Sequence, residues 1–210
     1  MNLEREIDIL VVDDNSPDGT ADLVRESMKE FPNRIYLLER EGKLGLGTAY
    51  IAGFRYCLKK EYEHIIEMDA DFSHDPNDLP RLISACENGA DVSVGSRYVK
   101  GGKVENWPLL RILISFFASL YVRTVLWLNV RDTTAGFVCY NRRVLEKIDL
   151  DRIEFIGYAF QIEMKYKAKK KNFKIVEVPI TFRDRMVGQS KMSMNIFNEA
   201  LIGVVKMRLS

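Results

Sequence analysis

The chain has 210 residues, of which 47% are hydrophobic and 29% are charged, and its formal net charge is +1 at pH 7. This is the composition of one ordinary globular domain with a substantial core, and the near-neutral charge argues against a dedicated nucleic-acid binder. The 2 histidines and 3 cysteines exclude a histidine-rich zinc site and leave little for a Ser-His-Asp hydrolase.

The cysteines favour a reducing compartment. Cys57, Cys86 and Cys139 are odd in number, lack the spacing of metal ligands and lie in apolar contexts. We therefore expect reduced thiols, as in cytoplasmic proteins. The first residues also lack the pattern of a signal peptide.

The first part of the chain predicts alternating strands and a helix. Residues 7–12 form a short apolar run that ends in Asp13 and Asp14, and a helix is predicted over residues 20–31. A second strand is predicted over residues 34–39. The strand-helix-strand order is typical of a parallel sheet.

Residues 41–49 contain three glycines ahead of a helix predicted to reach about residue 60. Glycines before a helix N-terminus let the backbone approach a phosphate. The spacing, however, matches neither the dinucleotide-binding fingerprint nor the P-loop. A phosphate contact and a tight loop entering a packed helix both stay open.

The acidic segment after residues 65–68 is the strongest indication of a ligand site. The apolar run predicts a buried strand, and Asp69 and Asp71 follow it. Residues i and i+2 of an extended segment share a side, so both carboxylates point beyond the carboxyl end of the strand, where open α/β sheets bind ligands. Because Mg²⁺ is typically held by one or two carboxylates and substrate phosphates, a Mg²⁺ or Mn²⁺ site is predicted. The alternative is a solvated loop, or the cap of a helix predicted over residues 77–87.

Residues 107–130 are the most apolar part of the chain. Arg111 and Arg123 interrupt them and leave too few apolar residues for a membrane-spanning helix, which needs about 20. Aromatic residues with flanking arginines favour an amphipathic helix lying in a membrane interface. An ordinary core or dimer helix is the alternative.

The other predicted elements complete an α/β pattern. Strands are predicted over residues 90–95, 137–140 and 173–179, and helices over residues 142–148, 160–168 and 193–208. The first of these strands leads to Arg97, on the expected ligand side. Residues 182–192 carry three cations around Gly188 and predict a mobile basic loop that closes over phosphate oxygens. The alternative is a solvated loop.

Six segments together resemble one enzyme family. They are VVDDNSPDGT, KLGLGTAYIAGF, MDADFSHDP, GSRY, GYAFQIEM and VPITFRDRMVGQSKM. In this order they resemble dolichol-phosphate (polyprenol-phosphate) mannosyltransferases of glycosyltransferase family 2, over nearly the whole chain. The resemblance implies a GT-A (Rossmann-like) α/β fold: one domain over residues 1–210, with a mostly parallel sheet flanked by helices and an amphipathic interface helix around residues 107–130.

The resemblance also implies roles for individual residues. Val12, Asp13 and Asp14 would flank the nucleotide base and ribose. Asp69, Ala70 and Asp71 would form the donor-binding acidic motif, with Asp71 as the main metal ligand, assisted by Asp69 and Ser73. Arg97 and Arg111 would receive the lipid phosphate, and Arg97 would also border the donor. Arg185 and Lys191 would contact the donor diphosphate.

The implied reaction transfers mannose from GDP-mannose to a polyprenyl monophosphate, with Mg²⁺ or Mn²⁺. A phosphate oxygen is anionic at neutral pH and needs little or no general base. The metal, Arg185 and Lys191 would neutralise the leaving diphosphate, while Arg97 and Arg111 would orient the acceptor. Direct displacement inverts the sugar and gives a β-linked product. If a carboxylate takes part beyond metal binding, Asp69 is the candidate.

One departure from the family concerns the N-terminus. Family members begin with a strand that ends in a Pro-Thr-Tyr-Asn-Glu type motif, whereas this chain begins at what resembles their second strand. We therefore expect the first family strand to be missing. The chain resembles the short, single-domain members, some of which rely on a small membrane partner protein, and we expect peripheral association with the cytoplasmic face of a membrane.

Three rival interpretations stay open. A phosphodolichol-type glucosyltransferase using UDP-glucose shares much of the pattern. An inactive, N-terminally truncated fragment could bind lipid phosphate or a membrane partner. A nucleotidyltransferase with a similar sheet is disfavoured by the interface-like helix.

Overall fold

The computed structural model describes residues 5–157, 159–184 and 194–209, with the backbone alone for residues 194–200. The strands are β1 (Ile9–Asp13), β2 (Ile35–Glu39), β3 (His64–Glu67), β4 (Val92–Ser96), β5 (Lys103–Glu105), β6 (Val138–Asn141), β7 (Ile175–Pro179) and β8 (Thr181–Arg183). The helices are α1 (Thr20–Glu30), α2 (Leu46–Leu58), α3 (Leu79–Glu87), α4 (Leu109–Leu126), α5 (Arg142–Lys147), α6 (Ala159–Lys170) and α7 (Met194–Leu209). Short 3-10 turns lie at Pro76–Asp78 and Leu150–Arg152.

The largest sheet has four strands in the order β3-β6-β4-β7. Strand β6 runs antiparallel to both of its neighbours, whereas β4 and β7 are parallel. Every residue of β4 is buried, and its sequence, VSVGS, consists of small residues that include two buried serines. Apart from β6, the strands of this sheet share one direction, as a mostly parallel sheet requires.

Strands β1 and β2 form a separate parallel pair. Among the described residues, β1 bonds only with β2 and β3 only with β6, so the two sheets are joined by side chains. Helix α2 packs on both, because a Cβ on Gly53 would lie 3.4 Å from Val12 of β1, while Phe54 shares a core cluster with Ile65 of β3. The expected absence of a family strand stays a prediction.

A small parallel pair, β5 with β8, is absent from the sequence prediction. Both strands have three residues, which is too short for a period of two to be recognised. The predicted start of the basic loop at residue 182 was wrong, because Phe182 and Arg183 belong to β8.

Helix α4 has one packed face and one exposed face. Ser119, Val122 and Leu126 are buried, and the Tyr121 hydroxyl donates to the backbone O of Leu201 in α7 at 3.1 Å. By length and composition alone, α4 is the one helix in the described part of the chain that could cross a membrane, whereas the sequence analysis judged the stretch too interrupted by Arg111 and Arg123 for a spanning helix. Its bounds confirm the predicted helix around residues 107–130.

Candidate active site at the carboxyl ends of the strands

The acidic segment forms a tight turn immediately beyond β3. Asp71 Oδ1 accepts hydrogen bonds from the Ser73 backbone N at 3.1 Å and the Ser73 hydroxyl at 2.5 Å. Between them, Phe72 has φ of 62° and is 84% exposed. A left-handed conformation is uncommon for a bulky residue, and such strain tends to occur at functional sites. Asp69 and Asp71 follow Glu67, the last residue of β3, and so lie beyond the strand end, as predicted.

The donor set of this turn fits a hard divalent cation. Among the described residues there is no group of three or more His, Cys, Asp and Glu side chains that could hold a metal by themselves. Asp69, Asp71 and Ser73 offer oxygen ligands only. Mg²⁺ or Mn²⁺ bound by these residues would take its other ligands from substrate phosphates and water, which is the usual arrangement for Mg²⁺.

A buried polar layer, which the sequence analysis missed, lies beneath Asp69. The Tyr50 hydroxyl donates to Asp69 Oδ1 at 2.7 Å, and the Tyr140 hydroxyl donates to Glu67 Oε1 at 3.2 Å. Lys165 Nζ donates to the backbone O of Ala135 at 2.7 Å. Periodicity cannot reveal such a layer, because Glu67 and Lys165 occupy positions that the pattern assigns to the core.

Burial moves the pKa values of Glu67 and Lys165 toward each other. It raises the pKa of Glu67 to about 8, and the positive charge of Lys165 partly opposes the shift. It lowers the pKa of Lys165 to about 8, and the charge of Glu67 opposes that shift as well. Each residue thus stabilises the ionised form of the other inside the core.

The carboxyl end of β1 carries the second acidic pair. Asp13 is buried, and its Oδ2 accepts a hydrogen bond from the Ser16 backbone N at 3.0 Å. Asp14 Oδ1 lies 2.9 Å from Arg40 Nε in an ion pair that lacks an aligned hydrogen bond at these two atoms. Arg40 Nη2 donates to the Thr48 hydroxyl at 2.9 Å. With Val12, these residues line one strand end.

The glycines of residues 41–49 allow close packing. A Cβ on Gly47 would lie 2.8 Å from the Phe160 ring, and one on Gly45, where φ is 104°, would lie 3.1 Å from Ile156. The Gly47 N–H donates to the backbone O of Ile156 at 2.8 Å and is thereby occupied. The structure favours the tight, packed loop over a phosphate contact at Gly47.

Arg97 lies just beyond β4 in a buried ion pair. Its side chain is 8% exposed, and Nε and Nη2 donate to Asp132 at 2.7 and 2.6 Å. Burial opposes its charge, but Asp132 outweighs burial and raises the pKa of Arg97. A further bond from Nη2 reaches Thr134, and none of these bonds involves Nη1. Three rings surround the guanidinium at 5.2–5.3 Å, those of Tyr98, Trp107 and Phe182.

Arg111, in the first turn of α4, lies on the same tryptophan. Its guanidinium carbon is 3.9 Å from the centre of the Trp107 ring, and Nη1 donates to both carboxylate oxygens of Asp184 at 3.1 Å. Its side chain is 26% exposed, so Arg111 is more accessible than Arg97. The indole thus contacts both arginines that the sequence analysis selected.

His74 connects the acidic turn to this cluster of aromatic rings and the two arginines, Arg97 and Arg111, which we call the arginine cluster. Its buried ring lies 4.9 Å from Phe137 and 5.3 Å from Phe182, and Phe182 lies 5.4 Å from Trp107. Burial lowers the pKa of His74, the negative charges of Asp69 and Asp71 raise it, and Arg97 lowers it. The acidic turn and the two arginines therefore belong to one continuous site.

Three predicted residues remain to be placed. Ala70 lies exposed in the turn between the two aspartates. Arg185 and Lys191 lie outside the described residues, so their contacts to the donor diphosphate stay predictions.

A family model described as glycosyl transferase family 2 matches residues 2–149. The chain belongs to glycosyl transferase family 2. The resemblance stated from the sequence is therefore confirmed at the level of the family.

Three relatives within this family are 40–49% identical to the chain over the aligned residues. Polyprenol monophosphomannose synthase of Mycolicibacterium smegmatis is 47% identical, over 96% of this chain and 76% of the relative. Undecaprenyl-phosphate mannosyltransferase of Micrococcus luteus is 49% identical, over 98% and 84%. Dolichol-phosphate mannosyltransferase of Pyrococcus furiosus is 40% identical, over 88% and 50%.

A solved structure confirms the GT-A fold. Glucosyl-3-phosphoglycerate synthase from Mycobacterium tuberculosis, in complex with Mn²⁺, UDP-glucose and phosphoglyceric acid, has a TM-score of 0.64 and 16% sequence identity. The match covers 95% of this chain and 67% of that one. At this identity the likeness concerns the fold alone.

Proposed function

We propose that this protein, as a single domain, transfers mannose from GDP-mannose to a polyprenyl monophosphate, with inversion and with Mg²⁺ or Mn²⁺. The observation that carries the proposal is the continuity of the acidic turn with the arginine cluster through His74 and Phe182. A metal-bound diphosphate and a second phosphate need these two environments side by side. The mannosyltransferase names of the relatives support mannose as the sugar.

The acidic strand ends would hold the donor. Val12, Asp13 and Asp14 at β1 would contact the base and ribose, while Asp69, Ala70 and Asp71 at β3 would lie at the metal and diphosphate. Bound Mg²⁺ or Mn²⁺ neutralises charge on a departing nucleoside diphosphate. Arg185 and Lys191 would add positive charge on the same group.

The arginine cluster would hold the acceptor phosphate. Arg111 is partly exposed and lies at the start of the apolar helix α4, so it would contact the phosphate first. Arg97 would contribute through Nη1, while Asp132 holds its other nitrogens in place. An anionic phosphate oxygen held beside the anomeric carbon can displace the diphosphate directly, which inverts the sugar.

The exposed face of α4 would carry the lipid. Its exposed apolar side chains are Leu109, Leu110, Leu113, Ile114, Phe116, Phe117 and Leu120. Soluble proteins rarely leave so large an apolar patch uncovered, and Ile202 and Leu209 of α7 are exposed as well. Peripheral binding to the cytoplasmic face of a membrane would cover these surfaces, and the free state of all three cysteines supports a reducing compartment.

A transfer assay tests the proposal. Purified protein would be incubated with labelled GDP-mannose or UDP-glucose and with vesicles containing a polyprenyl phosphate, in Mn²⁺ or in EDTA. We expect lipid-linked label from GDP-mannose in Mn²⁺ alone, and a β-anomeric product by NMR. Transfer of glucose only would contradict the donor, full activity in EDTA would contradict the metal requirement, and an α-linked product would contradict inversion. A protein inactive with both donors would favour the inactive-fragment interpretation.

A further inference from the structure

Helix α2 reaches the acidic turn through one tyrosine. The Tyr50 hydroxyl donates to Asp69 Oδ1 at 2.7 Å, across the boundary between a helix and a strand end. Tyr50 lies near the start of α2 (Leu46–Leu58). Its hydroxyl is therefore a contact to a predicted donor-site residue that the proposed function does not yet use.

The Tyr50 ring is fixed from the side of α6. It stacks on the Phe160 ring with the centroids 5.8 Å apart and the planes 7° from parallel, and it lies 6.3 Å from the Phe54 ring. The close contact of Gly47 with Phe160 sets the distance between the two helices. Because the ring is fixed by these contacts, its hydroxyl stays in one place and restrains the Asp69 carboxylate to which it donates.

The hydrogen bond has a fixed direction. The phenol O–H of Tyr50 is the donor and Asp69 Oδ1, 2.7 Å away, is the acceptor. An ionised carboxylate only accepts. Asp69 Oδ1 is consequently tied to the core, while Oδ2 lies on the side of Gly136, where a Cβ would be 3.8 Å away.

The same helix also supports the second acidic pair. Thr48, two residues before Tyr50, accepts the hydrogen bond from Arg40, and Arg40 pairs with Asp14. One helix therefore contacts both acidic strand ends, at β1 indirectly and at β3 directly. A partner that orients a ligand before the metal arrives strengthens metal binding, commonly by about 10-fold to 100-fold.

We propose that Tyr50 is a positioning residue that holds the Asp69 carboxylate ready for the metal-bound donor. The proposal rests on the proposed function in one respect, because it takes metal-dependent donor binding as the step that benefits. Tyr50 acts through Asp69 and does not itself touch the reacting atoms.

The test is Tyr50→Phe, with Tyr62→Phe as the matched control. The control removes a bond of the same type, from the Tyr62 hydroxyl to Asp8 Oδ2 at 2.6 Å. This bond lies at the amino-terminal ends of β1 and β3, away from the acidic strand ends. Both changes keep the ring. The readouts are Mn²⁺ affinity in the presence of GDP, kcat and KM for each substrate, and the melting temperature.

For Tyr50→Phe we expect Mn²⁺ affinity with GDP to fall about 10-fold and kcat to fall with it. The acceptor KM and the melting temperature should stay close to those of the control. Wild-type Mn²⁺ affinity in Tyr50→Phe would overturn the proposal, and so would an equal loss in Tyr62→Phe.

The two proposals fail in different ways. If the wild-type protein rejects GDP but binds Mn²⁺ with UDP, the choice of donor is wrong and Tyr50 is judged by the same comparison with UDP. If the wild-type protein binds Mn²⁺ with neither nucleotide, both proposals are overturned.

Discussion

The two acidic strand ends of the molecule are built differently. At β3, Asp69 accepts a short bond from a buried tyrosine and Asp71 accepts two bonds within its own turn. At β1, Asp13 has a single turn bond and Asp14 is held by an ion pair with Arg40 without an aligned bond at its closest atoms. The β3 end is thus fixed by a buried tyrosine together with its own turn, and the β1 end by its own turn and a neighbouring arginine.

The difference matches the tasks that we propose. A metal site needs ligands placed within a fraction of an ångström, and the β3 end has the bonds to achieve this. Contacts to a base and ribose add binding energy that is similar in the ground state and the transition state. We therefore expect changes at β3 to lower turnover and changes at β1 to weaken donor binding.

The largest effect should come from Asp71→Asn. Loss of the carboxylate charge should reduce kcat by about 1,000-fold, in the range seen when electrostatic stabilisation of a leaving group is removed. Asp75→Asn is the control, because Asp75 caps the next 3-10 turn, follows the acidic turn closely in sequence and has no proposed role. Turnover that falls equally in both variants would indicate damage to the turn rather than loss of a metal ligand.

Arg111→Ala tests whether acceptor binding is independent of donor binding at the two acidic strand ends. Removing the guanidinium should raise the acceptor KM about 30-fold, since charge-assisted bonds to phosphate are among the stronger polar contacts, and should leave the donor KM within about twofold. Arg81→Ala is the control, because Arg81 pairs with Asp78 on the exposed side of α3. An unchanged acceptor KM would remove Arg111 from the phosphate site.

A smaller effect is expected at β1. Asp14→Asn should raise the donor KM about 10-fold and change kcat by less than about threefold, as the loss of uniform binding does. Asp18→Asn, in the following turn and bonded to Thr20, serves as the control. A kcat loss as large as that of Asp71→Asn would end the distinction between the two strand ends.

The smallest effect on activity should come from the buried pair beneath β3, which we expect to appear in the pH dependence of stability. Glu67 titrates near pH 8 when folded, above its usual 4.5, so the free energy of unfolding should fall as pH rises from about 4.5 to 8. Lys165 titrates near pH 8 when folded, below its usual 10.5, so the unfolded chain binds more protons from about pH 8 to 10.5 and stability should rise again.

Denaturant unfolding across this range measures the effect. We expect a minimum of stability near pH 8, with a depth on the order of 1–3 kcal/mol. The double variant Glu67→Gln with Lys165→Met should flatten the curve, and either single variant should be less stable than the double one. A minimum that persists in the double variant would assign it to other groups.

The sequence predicted the framework and the exposed ends of the strands better than the interior. The positions of Asp69, Asp71 and Arg97 at strand ends could be predicted because each follows a predicted strand, and strand ends are where such sheets bind ligands. Tyr50, Glu67 and Lys165 could not be found, because each has a hydrogen bond to a residue at least 19 positions away, and these bonds depend on how helices pack over the sheet. The engagement of Arg97 by Asp132 was hidden for the same reason.

The central claim is that the β3 end is the metal site and that the β1 end belongs to the same donor pocket. The most direct test is the anomalous diffraction signal of Mn²⁺ in crystals grown with GDP. The account predicts a peak within about 2.5 Å of a carboxylate oxygen of Asp71, with the nucleoside toward Asp13 and Asp14. A Mn²⁺ peak elsewhere in the molecule, or a nucleoside away from β1, would contradict it.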